Sequence, residues 1–183
     1  PRVHLINGSV HEGLLAEVFS NIGIGTLVYA NEYRQIRPAK KSDLGSILAL
    51  TKNAIESAEL MDRSLTDIEA NVAEYFLFEI DGNPVGCFSL TVFTEANVAE
   101  LGSVCVSAAH ENQGIGRKLV EYAEKLGRDH GLDRLFVLST RTFKWFQSKA
   151  GFCEGTLDDL PAARRVSAAE SGRKSKVLLK SLE

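Results

Sequence analysis

The 183 residues include 44% hydrophobic and 25% charged side chains and carry a net charge of −3, an ordinary balance for one globular domain with a sizeable core. That balance argues against nucleic acid or an anionic membrane as a partner, and the chain has no apolar run of bilayer length and no secretory signal. Cys87, Cys105 and Cys153 are odd in number and widely spaced, without metal-type pairing, so a reducing, cytoplasmic compartment and no metal are expected.

Residues 1–30 read as a small unit. Val3–Ile6 is a short apolar run, Asn7-Gly8 a turn, Gly13–Phe19 a short helix, and Ile22–Val28 a closing strand. A unit this short cannot bury a core of its own and must pack on something else. The main unit, residues 31–183, opens near Tyr33 with a strand at Arg34–Arg37 stopped by Pro38. Ser42 is placed to cap a helix carrying Leu44, Ile47, Leu48 and Ile55, and Ser64 with Asp67 resembles a capping box for a second. Tyr75–Ile80 and Pro84–Phe93 flank Asp81-Gly82-Asn83, a hairpin signal. Glu100–Val106 is a further strand. Ile115–Arg128 follows as an amphipathic helix, with Gly131 suited to its end. Arg134–Ser139 is apolar enough for a strand buried on both faces, Thr142–Lys149 is a short helix, and Lys174–Leu182 a final strand. The order β-α-α-β-β-β-α-β-α-β predicts an α/β fold with a mixed, mostly antiparallel sheet flanked by helices. Arg164, Arg165, Arg173, Lys174, Lys176 and Lys180 crowd the C-terminal end, either as a solvated face or as a local anion site.

The most informative stretch is Val104-Cys105-Val106 followed by Glu111-Asn112-Gln113-Gly114-Ile115-Gly116-Arg117-Lys118-Leu119. A buried strand enters a glycine-bearing turn and passes directly into a helix. Glycines let successive N–H groups converge, and a helix N-terminus adds partial positive charge, so the segment suits a pyrophosphate. The plainer alternative is a tight strand-to-helix turn. Gln113-Gly114-Ile115-Gly116-Arg117-Lys118-Leu119 after a Val-Cys-Val strand resembles the acetyl-CoA loop of the GNAT family of N-acetyltransferases. The resemblance implies a GNAT fold and acetyl-CoA as cosubstrate. It assigns the pantetheine arm to the backbone of Val104, Cys105 and Val106, and the phosphates to Asn112, Gln113, Gly114, Ile115, Gly116 and Arg117. Glu111 departs from the family's usual Arg or Gln.

Further segments narrow the resemblance. Leu135–Arg141, Trp145-Phe146, Gly151-Phe152, Asp159-Leu160-Pro161 and Arg173–Val177 are similar to the C-terminal acetyltransferase domain of N-acetylglutamate synthases. Arg2–Gly8 and Gly23–Thr26 resemble the last segment of the amino-acid-kinase domain that precedes it in those enzymes. This implies transfer of acetyl from acetyl-CoA to the α-amino group of L-glutamate, as in arginine biosynthesis. It also leaves a kinase-like domain or subunit, and self-association, as partners.

Acetyl transfer needs a base for the ammonium, a donor for the departing thiolate and a grip on the substrate. The resemblance points to Glu100 as base; the alternative is a strand-end surface carboxylate. None of the tyrosines follows position 122, so the family's usual tyrosine acid is missing, and the resemblance points instead to Ser139. A strand-end serine satisfying a backbone group remains the alternative there. Arginine suits bidentate carboxylate recognition, and the resemblance assigns this to Arg173, with Ser175, and to Arg63 in the second helical region. Phe143, Trp145 and Phe146 read as core. Cys105 is set aside as nucleophile because direct transfer needs no acyl-cysteine. Two other readings stand: acetylation of a different amine, and a non-catalytic acetyl-CoA or arginine sensor using His4, Glu17 and Gly23–Gly25.

Overall fold

The computed structural model describes residues 2–20, 23–29 and 34–182. The boundary placed at residues 30 and 31, the start near Tyr33, and Ile22 lie outside the described residues. At the N-terminal end, β1 (Arg2–Leu5), α1 (Gly13–Phe19) and β2 (Thr26–Tyr29) form a separate two-stranded antiparallel unit. Glu17 knits it together, accepting the backbone N–H groups of Ile24 and Gly25 at 2.7 and 2.8 Å and pairing with His4 Nδ1 at 2.6 Å. Val3, Leu5, Leu14, Leu15, Val18 and Phe19 stay exposed on this unit.

The remaining strands are β3 (Arg34–Pro38), β4 (Tyr75–Ile80), β5 (Asn83–Phe93), β6 (Val98–Val106), β7 (Arg134–Ser139), β8 (Cys153–Gly155) and β9 (Lys176–Ser181). They make one 7-stranded sheet in the order β3-β4-β5-β6-β7-β9-β8. Every neighbouring pair is antiparallel except β6–β7. The β4–β5 hairpin turns through Asp81 and Gly82 with φ of 54° and 82°, the doubly positive turn that matches strand twist.

The helices are α2 (Leu44–Glu56), α3 (Leu65–Ala70), α4 (Ile115–Asp129), α5 (Phe143–Ala150) and α6 (Ala162–Glu170). Alternation along the strands feeds two cores. Phe78, Phe88, Leu101 and Leu135 pack with Ile115, Leu119, Val120 and Ala123 of α4 on one face. Tyr75, Leu77, Cys87 and Cys105 pack with Ile47 of α2 and Ile68 of α3 on the other. A third cluster, Val98, Phe136, Leu160 and Val177, takes up Ala168 of α6.

Ser64 and Asp67 form the expected capping box on α3. Ser42 does not cap α2. A 3-10 turn over Lys41–Asp43 precedes the helix, and the Asp43 carboxylate accepts the Lys40 N–H at 2.7 Å. The N-cap position of α2 falls on Asp43, and no side chain caps the helix, because the Asp43 carboxylate is turned back to Lys40 and forked by Arg37 at 2.7 and 3.0 Å. Arg63 lies in the coil just before the Ser64 cap and not on a helix. Helix α6 and strand β8 were not expected: α6 buries no residue and its apolar stripe is mostly alanine, and β8 has three residues.

Arg37 also meets Glu79 at 2.6 and 2.9 Å, and Gln35 adds a bond at 2.8 Å. The Arg37 guanidinium holds Asp43 below its ordinary range. Burial pushes Glu79 up, but Arg37 and Gln35 outweigh it and leave it lowered too. Carboxylates depressed in the folded state contribute stability above their unfolded values, near pH 4, and lose it as pH falls through the folded ones. Arg37→Met leaves two carboxylates facing each other and costs about 3–5 kcal/mol near neutral pH. Urea denaturation is expected to find the gap between wild type and variant shrinking below about pH 4; a gap independent of pH would mean that packing, not charge, is what Arg37 supplies.

Candidate active site

The sheet opens at its centre. Parallel pairing of β6 with β7 covers only Val98, Ala99 and Glu100 against Arg134, Leu135 and Phe136. Beyond Glu100, β6 keeps β5 on its other edge while β7 follows β9, so the two strands part. A β-bulge accentuates the parting. Cys87 faces Cys105 and Ser89 faces Gly102, so Ser103 and Val104 together oppose Phe88. Ser103 is left-handed, φ 51°, a conformation that costs a non-glycine residue about 1–2 kcal/mol and is stored where a strand must be re-aimed.

At the opening lies a cavity of about 490 Å³. Glu100, Ser139, Arg63, Arg173 and Ser175, separated widely in sequence, all line it, and Val104 forms part of its wall. The structure also places there Ser103, Thr142 and Arg164, which sequence reasoning did not assign to the site. For Arg164 the basic C-terminal cluster was the only hint. No pattern marks a serine as the bulge residue.

Glu100 is largely buried, and both its oxygens are taken by Arg164: Nε meets Oε2 at 2.5 Å and Nη2 meets Oε1 at 2.9 Å. Arg164 sits in the first turn of α6, which Arg165 anchors by bonds to Asp158 and to the carbonyls of Asp158 and Leu160. Ser139, buried at the end of β7, shares a 2.9 Å hydrogen bond with Thr142, the residue that precedes α5. Arg173 Nη2 donates to the carbonyls of Ala58 and Glu59 at 2.7 and 3.1 Å, tying the C-terminal loop across the cavity to the turn that follows α2. Arg63 Nη1 donates to Tyr75 Oη at 3.2 Å. The lining holds four cationic groups, Arg63, Arg164, Arg173 and Lys174, against two carboxylates, Glu59 and Glu100. An uncompensated surplus of this sign favours an anionic ligand.

The glycine-bearing segment lies beside the cavity lining. After β6 the chain makes a 3-10 turn over Ala108–His110, passes Asn112 at φ 60° and Gly114 at φ 77°, and enters α4 with no side chain capping it. The first-turn N–H groups of α4 therefore have no intrahelical or side-chain acceptor, an arrangement suited to a phosphate. The Cys105 and Ile115 side chains are buried in the two cores, so only their backbones can serve a ligand. A Cβ on Gly116 would stand 3.2 Å from the Trp145 ring, so that glycine is also needed for packing. Arg117 is exposed and pairs with Glu121 at 2.9 Å. Among the described residues no group of His, Cys, Asp and Glu could hold a metal ion, and no helix is long and apolar enough to cross a membrane.

Comparison with known proteins places this geometry. Residues 42–152 match the model of the acetyltransferase (GNAT) family. The amino-acid acetyltransferase of Neisseria meningitidis serogroup A is 35% identical over 181 residues, 99% of this chain and 41% of that protein. The N-acetylglutamate synthase of Neisseria gonorrhoeae, solved with coenzyme A and N-acetyl-glutamate, superposes with a TM-score of 0.79 at 35% identity, covering all of this chain and 43% of that one. The same synthase with coenzyme A and L-arginine gives 0.80 at 35% identity, over 41% of its chain. The chain thus spans about two fifths of the length of these relatives.

The cysteines stand apart from this chemistry. Cys87 and Cys105 are cross-strand partners, both buried, and Cys153 is exposed. The Cys87 thiol donates to the Ser103 carbonyl at 3.5 Å, and the neighbouring Cys105 thiol together with burial pushes Cys87 well up. A disulfide-exchange reagent should therefore titrate one fast thiol per folded chain and all three in denaturant. A second fast thiol in the folded protein would mean that β6 opens readily.

Proposed function

The chain belongs to the acetyltransferase (GNAT) family, and we propose that it transfers the acetyl group of acetyl-CoA to the α-amino group of L-glutamate, giving N-acetyl-L-glutamate and CoA. In metabolism this is the opening step of arginine biosynthesis. The observation that carries the reading is the surplus of guanidinium groups around one buried carboxylate, Glu100, at the point where β6 and β7 part. A small amino acid with two carboxylates and one ammonium matches that balance. A polyamine or a lysine side chain would call for the opposite one. The gonococcal synthase, similar over this whole chain, was solved with coenzyme A and N-acetyl-glutamate, which supports the same assignment.

In this reading the unpaired edge of β6 at Val104, Cys105 and Val106 holds the pantetheine amides, and Asn112–Arg117 at the start of α4 hold the phosphates. Acetyl-CoA supplies the activated acyl group. Glu100 accepts one ammonium proton, the amine nitrogen forms the amide as the carbon–sulfur bond breaks, and the nitrogen's second proton ends on the thiol. The proton on Glu100 then leaves to water. Ser139, oriented by Thr142, donates a hydrogen bond to the departing sulfur. Arg63, Arg173 and Ser175 hold the carboxylates; the bonds of Arg173 use only Nη2 and leave the rest of its fork for a ligand.

Residues 1–30 are assigned to the closing segment of an amino-acid-kinase-like domain and 31–183 to the acetyltransferase domain. The exposed apolar side chains of α1 and β1 support contact with such a domain, as a partner or in a homo-oligomer. An exposed free thiol at Cys153 fits a reducing, cytoplasmic setting.

The test is product formation, read by mass spectrometry so that Cys153 does not interfere, with glutamate, glutamine, aspartate and lysine as acceptors. Glutamate is expected to lead. Preference for lysine would discard the substrate assignment. Glu100→Ala is expected to lower turnover about 10²- to 10⁴-fold with acetyl-CoA affinity unchanged, whereas equal loss of both would make Glu100 structural. Arg173→Ala is expected to raise the glutamate KM about tenfold to a hundredfold and to spare the acetyl-CoA KM; an unchanged glutamate KM removes it from the site.

A further inference from the structure

Glu100, the group assigned as base, is not free in this structure. Both of its oxygens are covered by N–H groups of Arg164, at 2.5 and 2.9 Å, and the pair is four-fifths or more buried at each end, with side-chain exposures of 14% and 20%. An incoming ammonium needs a carboxylate oxygen to receive its proton and a negative charge to draw it in; the guanidinium takes a lone-pair position on each oxygen, which lowers their basicity, and offsets the charge. Yet the same cavity is built with cations in excess of carboxylates, so a substrate carboxylate entering it is offered the Arg164 fork as one of its partners. The fork geometry is the same for a protein carboxylate and for a substrate carboxylate.

We infer that Arg164 is a positioning residue that hands over its partner: it holds Glu100 when the cavity is empty, and a substrate carboxylate takes the guanidinium and so releases Glu100 for the ammonium. This rests on the assignment of Glu100 and of a dicarboxylic amino acid as substrate. The guanidinium keeps its protons throughout and only changes acceptor. An amine without the right carboxylate enters the cavity but leaves Glu100 covered, so selectivity falls on turnover as well as on binding. The placement of Arg164 supports the exchange. It stands in the first turn of α6, a helix that buries none of its residues and is tied down by Arg165 and Ala168, so the Arg164 side chain is free to change partner while the helix stays. Arg173 and Arg63 differ in this respect, since their partners are carbonyls and a tyrosine hydroxyl, which a ligand need not displace.

The test is a cycle between this side chain and the substrate. Wild type, Arg164→Gln and Arg164→Lys are assayed with L-glutamate, with L-glutamine, which lacks the side-chain carboxylate, and with glutamate α-amide, which lacks the other. For wild type, kcat is expected to drop about tenfold to a hundredfold with whichever analogue lacks the carboxylate that Arg164 receives. In Arg164→Gln, where Glu100 has no guanidinium to shed, that kcat gap should close to within about twofold while the glutamate KM rises. Arg164→Lys, which keeps the charge but not the fork, should fall between. Acetyl-CoA affinity and melting temperature serve as checks on folding. If Arg164→Gln lowers kcat by the same factor for all acceptors, or leaves all of them unchanged, the pair is only a latch for α6 and the hand-over is wrong. Should Arg164→Gln fail to fold, a kcat gap in Arg164→Lys equal to that of wild type overturns the proposal on its own. A wild type that acetylates no dicarboxylic amino acid overturns the substrate reading as well, which separates the two failures.

Discussion

The parting of β6 from β7 is the constraint from which the rest follows. A strand inside a sheet normally satisfies its backbone on both edges, and unpaired N–H and C=O groups away from water are costly. Here β6 is paired on both sides only as far as Glu100, after which the edge facing β7 is left open. The bulge at Ser103 turns that edge further, at the expense of a left-handed serine. The fold therefore holds a short stretch of extended backbone ready for something that is itself extended and amide-bearing. It also sets Glu100 at the vertex, where the last paired residue of the strand is the first to face the gap.

Electrostatics then determines what the gap can accept. Four cationic side chains around two carboxylates would repel one another in a closed cavity, and two of the arginines relieve this by bonding to uncharged acceptors: carbonyls for Arg173 and a phenol oxygen for Arg63. The third takes Glu100, one of the two lining carboxylates. The Arg173 contacts have a mechanical consequence. They close the ring of the cavity by linking residues 58 and 59 to residue 173, so the shape of the cavity depends on this one side chain. Thr140 adds a weaker bond to the same Ala58 carbonyl.

Local patterns were the most legible part of the chain. The β4–β5 hairpin, the α3 capping box, and the nearly all-apolar β7 each follow from residues adjacent in sequence, and each formed where short-range physics placed it. Ser42 shows the limit of that reasoning: a 3-10 turn shifts the N-cap position of α2 to Asp43, whose carboxylate is held by Arg37 and Lys40, and the helix is left without a side-chain cap. Helix α6 was missed because its apolar side chains, though at helical spacing, Ala162, Val166 and Ala169 among them, are mostly alanine and none is buried, so the stripe is faint. With it went the pairing of Arg164 with Glu100, which spans 64 residues of sequence. Residue types at the site could be nominated from motifs, but which of them bond to each other is a property of the packed sheet.

The glycine pair in the strand-to-helix turn shows how a plain reading and a functional one can both hold. Gly114 has open space where a side chain would stand, but its φ of 77° is one that side chains resist, so it is there for backbone shape. Gly116 is inside the helix, where glycine is ordinarily a cost of about 1 kcal/mol, and the space a Cβ would fill is pressed by the Trp145 ring at 3.2 Å. Trp145 in turn meets Phe146 edge-on at 5.1 Å, and Phe146 belongs to the core under α4. The start of α4 is thus held from below by aromatic packing while its N–H groups face outward without a cap. A helix end that needed a capping side chain for stability would have to lose it before binding an anion. Here packing supplies what the cap would have contributed, and the N-terminus is left open at no further cost to the fold.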